Sequence, residues 1–462
     1  MRDQNRPIGL ILALPFLLCA VAFAVAMAQM KTVAQTVGEY SDARDTAVLA
    51  TRAYTYTAFL PLVHKHGPPL AKLGVDFGAM TTLPEVLDYD LPVAKEMGAH
   101  WIRVSLGWPD IERSPGEYDW GEYDAVFERL GELGFSTIVV VYGAPDWAAE
   151  QSCGPISDTL ALEHFLEALV PHYAEVVKAW EFTNEPDGRV PHEWGPGIGC
   201  WGPYPAEYAQ QLGIFYSKVK SLVPEALVFF GGLAYDNWAI FEKDFFERAL
   251  QHGADQFFDG VSLHYYPINP GEFPTMAHKV NEISATMSRN GVHGKSIWVT
   301  ETGMWVNDIG YEDLNGSVER QRDFIVQELT RGFGAGVDNI FWFDPREHPV
   351  PEGAVQRWLI SANHEPINGY STFQNLAEKL GGMYCVGAYR DVPEGIEAYK
   401  FVGSRSLYVL WSNAITETVR IPSTTHAVLT NRDGDESTVL PVQMGVVEFE
   451  VGVKPVFVEI AE

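Results

Sequence analysis

Eight short β-rich runs, beginning near Val75, Ile102, Ile138, Glu181, Val228, Val261, Ile297 and Ile340, recur at intervals of 27 to 47 residues with amphipathic stretches between them. Each interval holds one strand, one helix and two loops, which is the minimum a parallel pair requires. The helical period is clearest between the third and fourth runs, where Leu162, Phe165, Leu166, Leu169, Tyr173, Val176 and Val177 fall on one stripe. Eight such units predict a closed (β/α)₈ barrel over 72–385. The doubly wound alternative would carry a Gly-rich phosphate loop after the first strand, and none is present.

The flanks differ in character. Ile8 to Ala28 is an uncharged run following Arg2 and Arg6, and Ala26-Met27-Ala28 has the small residues of a cleavage site. Residues 1–30 therefore read as a signal peptide or a retained single-span membrane anchor, and either one places the remainder outside the cytoplasm. Residues 31–71 lack a sustained period, end in the His64–Pro69 breaker, and read as a stalk. Beyond Cys385, which closes a helical pattern, short alternating runs such as Ile396–Val402 and Leu407–Trp411 predict a small β-sandwich over 386–462. A domain of that size directly after the last barrel helix reads as a packed support. Of the four cysteines, Cys153 and Cys200 both fall in Gly/Pro-rich loops and are candidates for a disulfide.

In a barrel of this kind chemistry sits at the C-terminal ends of the strands. The fourth strand ends Thr183-Asn184-Glu185-Pro186 and the seventh ends Val299-Thr300-Glu301-Thr302. By alternation Glu301 shares a face with Val299 and Ile297, so an apolar inward row is expected to finish in a carboxylate at the mouth. A near-buried carboxylate is costly without donors or a task, and two across one mouth raise each other's pKa. Paired carboxyls flanking one bond are what glycosidic cleavage needs, one to protonate the leaving oxygen and one to attack the anomeric carbon.

On these residues the chain resembles the clan A retaining glycoside hydrolases, over roughly Lys72 to Cys385. Trp147 in Tyr142-Gly143-Ala144-Pro145-Asp146-Trp147 and the C-terminal β domain look most like family 39 and its exopolysaccharide-hydrolase relatives, with family 5 as the near rival. The resemblance implies Glu185 as acid/base, Glu301 as nucleophile and Asn184 as a partner of the sugar 2-hydroxyl. It further implies that Arg103 orients the nucleophile, that His264 and Tyr266 stand at the sixth-strand site facing it, and that Trp342 floors the subsite of the cleaved sugar. Which of Tyr265 and Tyr266 points inward depends on register. Trp108, Trp147, Trp194, Trp201 and Trp305 lie in loops of the same face and are candidate sugar platforms or loop anchors. Asp76, Asp146, Asp187 and Asp344 are candidate hydroxyl ligands or helix caps.

The remaining sequence excludes several chemistries. A formal charge of −29 repels nucleic acid phosphates and anionic lipid and favours neutral or cationic partners, and the resemblance implies a carbohydrate substrate. No phosphate loop, metal-type His/Cys spacing or Gly-x-Ser-x-Gly elbow is present, so no cofactor is expected. Two other readings use the same residues: a non-catalytic surface sugar-binding barrel, and a transglycosylase working through the same covalent intermediate.

Overall fold

The structure is a computed structural model that describes residues 72–189, 199–235, 240–267, 273–304, 306, 317–348 and 357–461. The export segment, the stalk, Trp194 and Trp305 lie outside the described residues. Among the described residues no helix is long and apolar enough to cross a membrane.

Strands β1 (Lys72–Asp76), β2 (Trp101–Gly107), β3 (Ser136–Tyr142), β4 (Val177–Asn184), β5 (Leu227–Leu233), β6 (Gly260–Tyr265), β7 (Ser296–Thr302) and β8 (Asn339–Phe343) close into a parallel barrel. A covering helix follows each, with a further single turn at Trp108–Ile111 after β2: α1 (Leu91–Glu96), α2 (Gly121–Glu132), α3 (Thr159–His172), α4 (Pro205–Leu222), α5 (Phe245–Gln251), α6 (Met276–Arg289), α7 (Val318–Gly334) and α8 (Tyr370–Leu380). The predicted third helix is shorter than its apolar stripe suggested. α3 stops at His172, one residue past Pro171, and Val177 opens β4 instead. Proline next to the end and the β-branched pair Val176-Val177 favour extended chain there over another helical turn.

Two apolar layers result from strand alternation. Trp101, Ile138, Ala179, Phe229, Trp298 and Phe341 fill the barrel interior. Their neighbours Ile102, Val139, Trp180, Phe230, Val299 and Trp342 face outward under the helices. This corrects the expected role of Trp342. It is fully buried, its ring meets Phe324 of α7 edge-on at 6.2 Å, and its Nε1 donates to the Arg357 carbonyl at 2.9 Å, so no sugar can reach it. The inward row of β7 is corrected too, because Trp298 points in whereas Ile297 and Val299 point out.

The chain then turns at Gly381-Gly382, with Gly382 at φ +71°, into β9 (Tyr384–Ala388). Cys385 is thus a buried strand residue, not the end of a helix. β9, β10 (Ile396–Val402), β11 (Arg405–Ser412), β13 (Ala427–Asn431), β14 (Ser437–Leu440) and β16 (Val456–Ala461) form a sheet of order β14-β13-β16-β11-β10-β9, faced by the pair β12 (Glu417–Pro422) and β15 (Val446–Val451). This is a β-sandwich. Its inner core joins Val419, Ile421, Val447 and Phe449 to Tyr408, Leu410 and Val458, while Phe401, Leu407, Val409, Trp411 and Phe457 belong to the core that includes α7 and α8. Arg331 of α7 reaches across with two hydrogen bonds to Glu397, 2.8 and 2.6 Å, and lies 5.1 Å from the Trp411 ring. Apolar burial and a forked ion pair together fix the sandwich on the barrel.

Candidate active site

The predicted residues Arg103, Asn184, Glu185, His264, Tyr266 and Glu301 converge at the C-terminal mouth of the barrel. Arg103 follows the alternation of β2, pointing inward two residues after Trp101, and is buried. One of its terminal nitrogens donates to Asp76 at 2.7 Å and Glu301 at 2.8 Å, the other to Glu181 at 2.6 Å and Asn184 Oδ1 at 2.7 Å. Burial alone would lower the guanidinium pKa, but three carboxylates outweigh it and hold it well above the usual arginine value. A rigid planar fork suits this task better than an ammonium, since its donors are fixed in direction toward the four acceptors.

Glu301 reaches the mouth by a route that simple alternation does not give. The register between β6 and β7 shifts after Leu263↔Val299 to His264↔Glu301, so Thr300 is skipped and the parity of the strand end is reversed. The Glu301 carboxylate then accepts from Arg103 through Oε1 and from the Tyr266 hydroxyl, at 2.8 Å, through Oε2. Burial pushes its pKa up, yet His264, Arg103, the Tyr266 hydroxyl and Arg357 together bring it below the ordinary glutamate value. Glu301 is therefore a carboxylate that stays ionised in a buried place.

Glu185 sits opposite at the end of β4. His264 lies between the two glutamates, with Nδ1 3.1 Å from Glu185 Oε1 and Nε2 3.5 Å from Glu301 Oε1. Burial would lower the imidazole pKa, but the adjacent Glu301 and Glu185 raise it above its usual value. Gly232 on β5 makes room for this ring. A Cβ there would lie 2.3 Å from His264 Nε2 and 3.1 Å from Glu181 Oε1. The register question resolves in favour of Tyr266, because Tyr265 turns outward and stacks on Phe324.

Ligand atoms of Glu185, His264 and Glu301 lie within 4.8 Å of one another, close enough for a metal ion. Yet Arg103 already places a fixed positive charge 2.8 Å from Glu301. A cation added beside it would be repelled by that charge, so the three groups suit proton transfer and nucleophilic attack better than coordination.

Other site candidates divide by burial. Trp108 is an anchor, stacked on Phe165 with its Nε1 donating to Glu112, and Trp201 is likewise packed on Phe182 and Tyr208. Trp147 is half-buried, edge-on to Trp108. Asp146 is exposed, while Asp344 is buried against His348 and Arg357. Cys153 and Cys200 are bonded, with Cα atoms 5.2 Å apart, which ties the loop after β3 to the segment entering α4.

Glu181, Ser262, Phe343 and Arg357 escaped the sequence reading. Glu181 accepts from Arg103, the Gly232 N–H and the Ser262 hydroxyl, satisfying a fully buried carboxylate. A glutamate within the apolar Val177–Asn184 strand, two residues from the inward Ala179, was a usable signal. Arg357 lies over the rings of Tyr266, at 5.2 Å, and Phe343, at 4.7 Å. It comes from a connection without periodicity, so the sequence carried no sign of it.

Two buried carboxyls of the site hold their protons unusually long. Burial pushes Asp76 up to about 6, with Arg103 opposing and Glu301 adding to the effect. Burial likewise pushes Asp187 up to about 7, opposed by the Tyr235 and Ala234 N–H groups and reinforced by Glu185. In the unfolded chain both ionise near 3.8. The stability that their neutral forms contribute is thus complete below that pH and is lost as pH rises through about 6 to 7. Asp187→Asn cannot ionise, so its stability relative to wild type is expected to improve, by a few kcal/mol at most, from pH ~4 to ~7 and then level off. Thermal melts across that range check this. A difference that stays flat would mean Asp187 is already ionised when folded.

No protein-family model and no curated protein matches this sequence. The fold is shared with solved structures. A family 39 glycoside hydrolase from the gut symbiont Bacteroides cellulosilyticus WH2 is 19% identical, over 85% of this chain and 81% of its own, at a TM-score of 0.64. A GH30 endoxylanase from Clostridium papyrosolvens C71 is 13% identical, over 87% and 98%, at 0.59. A glucosidase from Croceicoccus marinus is 15% identical, over 87% and 97%, also at 0.59. At these identities the likeness extends to the fold.

Proposed function

We propose that this protein is a retaining glycosidase that cleaves O-glycosidic bonds, most simply β bonds, of a poly- or oligosaccharide outside the cytoplasm. The observation that carries this is that a carboxylate oxygen of Glu185 and one of Glu301 lie within 4.8 Å of each other across the mouth, with Glu301 held ionised by His264 and the buried Arg103. Carboxyls about 5 to 5.5 Å apart leave no room for the water that inversion places between base and sugar. On this reading the pair is spaced for retention and the second glutamate attacks the sugar itself. The shared fold with glycoside hydrolases of families 39 and 30 supports the reading.

In this mechanism an oxygen of Glu301 attacks the anomeric carbon while Glu185 gives its proton to the departing oxygen, and the bond between carbon and that oxygen breaks. The Arg103 and Tyr266 donors hold the attacking carboxylate in one orientation. Water then gives a proton to Glu185 and bonds to the same carbon, releasing Glu301. Asn184, fixed by Arg103, is proposed to bind the adjacent 2-hydroxyl. Trp147 and Trp305 are proposed as sugar platforms, and residues 1–30 as the element that exports or tethers the enzyme.

The test is hydrolysis of a panel of aryl glycosides and polysaccharides, with the first-formed hemiacetal followed by proton NMR. The configuration of the substrate is expected in the product. Initial release of the opposite anomer would remove the two-step mechanism, and no turnover across the panel would remove the glycosidase reading.

A further inference from the structure

Glu185 is carried on backbone that few side chains adopt. Thr183 has φ +62° and Glu185 φ +42°, two left-handed residues without a glycine between them. Such a turn persists only where its surroundings fix it. On one side stands the segment tied down by the disulfide: Gly199 N–H donates to the Asn184 carbonyl at 2.9 Å and Trp201 N–H to that of Pro186 at 3.1 Å. The packing is so close that a Cβ at Gly199 would lie 2.8 Å from the Asn184 oxygen.

On the other side stands the end of β5. There Glu185 N–H donates to the Gly232 carbonyl at 2.9 Å, and one side chain completes the contact. Asp187, fully buried, accepts Ala234 N–H through one oxygen at 3.2 Å and Tyr235 N–H through the other at 2.7 Å. Tyr235 is left-handed as well, at φ +47°. The backbone of Asp187 also accepts Glu242 N–H at 2.7 Å. A carboxyl in this position neither binds hydroxyls nor caps a helix, the two roles its place in the sequence suggested.

We propose that Asp187 is a positioning residue for Glu185: by taking two N–H groups of the β5 turn it locks the β4 turn in register and sets where the Glu185 carboxyl stands relative to the leaving oxygen. The proposal rests on the glycosidase reading above. Its consequence is specific to proton donation. A displaced acid harms departure of poor leaving groups and matters little for groups that depart unprotonated.

Asp187→Asn keeps the shape but turns one acceptor into an amide donor facing an N–H, so one of the two bonds is lost. For a series of aryl glycosides, kcat/KM is expected to fall roughly tenfold to a hundredfold with phenol-like leaving groups and to stay within about threefold with dinitrophenol. The slope of log kcat/KM against leaving-group pKa should steepen. Should Asp187→Asn fail to fold, Asp187→Ser retains a single acceptor and should steepen the same slope. Equal losses for all leaving groups in a folded variant, or no loss for any, would overturn the proposal while leaving the glycosidase reading intact. A wild-type protein that turns over none of the series would overturn both.

Discussion

Replacing Glu301 by Gln is expected to lower turnover by on the order of 10⁴-fold or more for every leaving group, activated ones included, because removal of an attacking group cannot be bypassed by an easier departure. The substitution is nearly isosteric, so the expected loss is chemical. Arg103 keeps Asp76 and Glu181 as charged partners, and the buried guanidinium is not stranded. The charge of Glu301 also raises the Asp76 pKa, so its removal should let Asp76 ionise at lower pH and partly restore the balance around Arg103. A glutamate whose folded pKa is depressed contributes stability above about 4.5 that is lost as pH falls through the folded value. Glu301→Gln should therefore lose stability relative to wild type near neutral pH and converge with it in acid. Stopped-flow release of an aryl group and melts at two pH values check both parts. Residual turnover within tenfold of wild type would show that another group attacks the sugar.

The barrel was legible because eight β-rich runs alternate with helical stretches at strand-plus-helix spacing, and all eight runs mark real strands. The proposed catalytic pair stood out for the same topological reason: each glutamate lies at the end of a strand. The argument that turned Glu301 inward was wrong in detail, however, since strict alternation points Ile297 and Val299 under the helices. Glu301 nonetheless reaches the mouth because a one-residue register shift at Thr300 reverses the parity. On β8 the pairing with β1 is regular from Lys72↔Asn339 to Asp76↔Phe343, so Trp342, next to the inward Phe341, faces outward by plain alternation, and its expected placement in the site does not hold. Bulges at strand ends arise from pairing between neighbours distant in sequence, so a single strand's pattern does not announce them. The disulfide illustrates the opposite case. Two cysteines in separate Gly-rich loops had few other partners, and the pair is bonded. Arg357 and the Asp187 contacts depend on loop conformation, for which no period exists to be read.

Replacing Glu185 by Ala should separate the two halves of the reaction in a way no other variant does. With a dinitrophenyl leaving group the first step needs no proton donor, so Glu301 should still attack and a burst of phenolate should appear. The second step then lacks its base, water adds slowly, and the glycosyl ester at Glu301 should accumulate with steady turnover reduced about 10²- to 10⁴-fold. Mass spectrometry of the quenched protein should find the sugar on the peptide that contains Glu301. Azide is a nucleophile that requires no base, and the space left by the shortened side chain admits it beside His264, which lies 3.1 Å from the Glu185 carboxyl in the intact site. Added azide should restore turnover and release a glycosyl azide of retained configuration from Glu185→Ala, and none of that configuration from any Glu301 variant. Rescue of Glu301→Ala with inversion, together with an unresponsive Glu185→Ala, would exchange the two assignments. The ionised carboxylate held by Arg103 and Tyr266 would then have to be the proton donor, which its depressed pKa argues against.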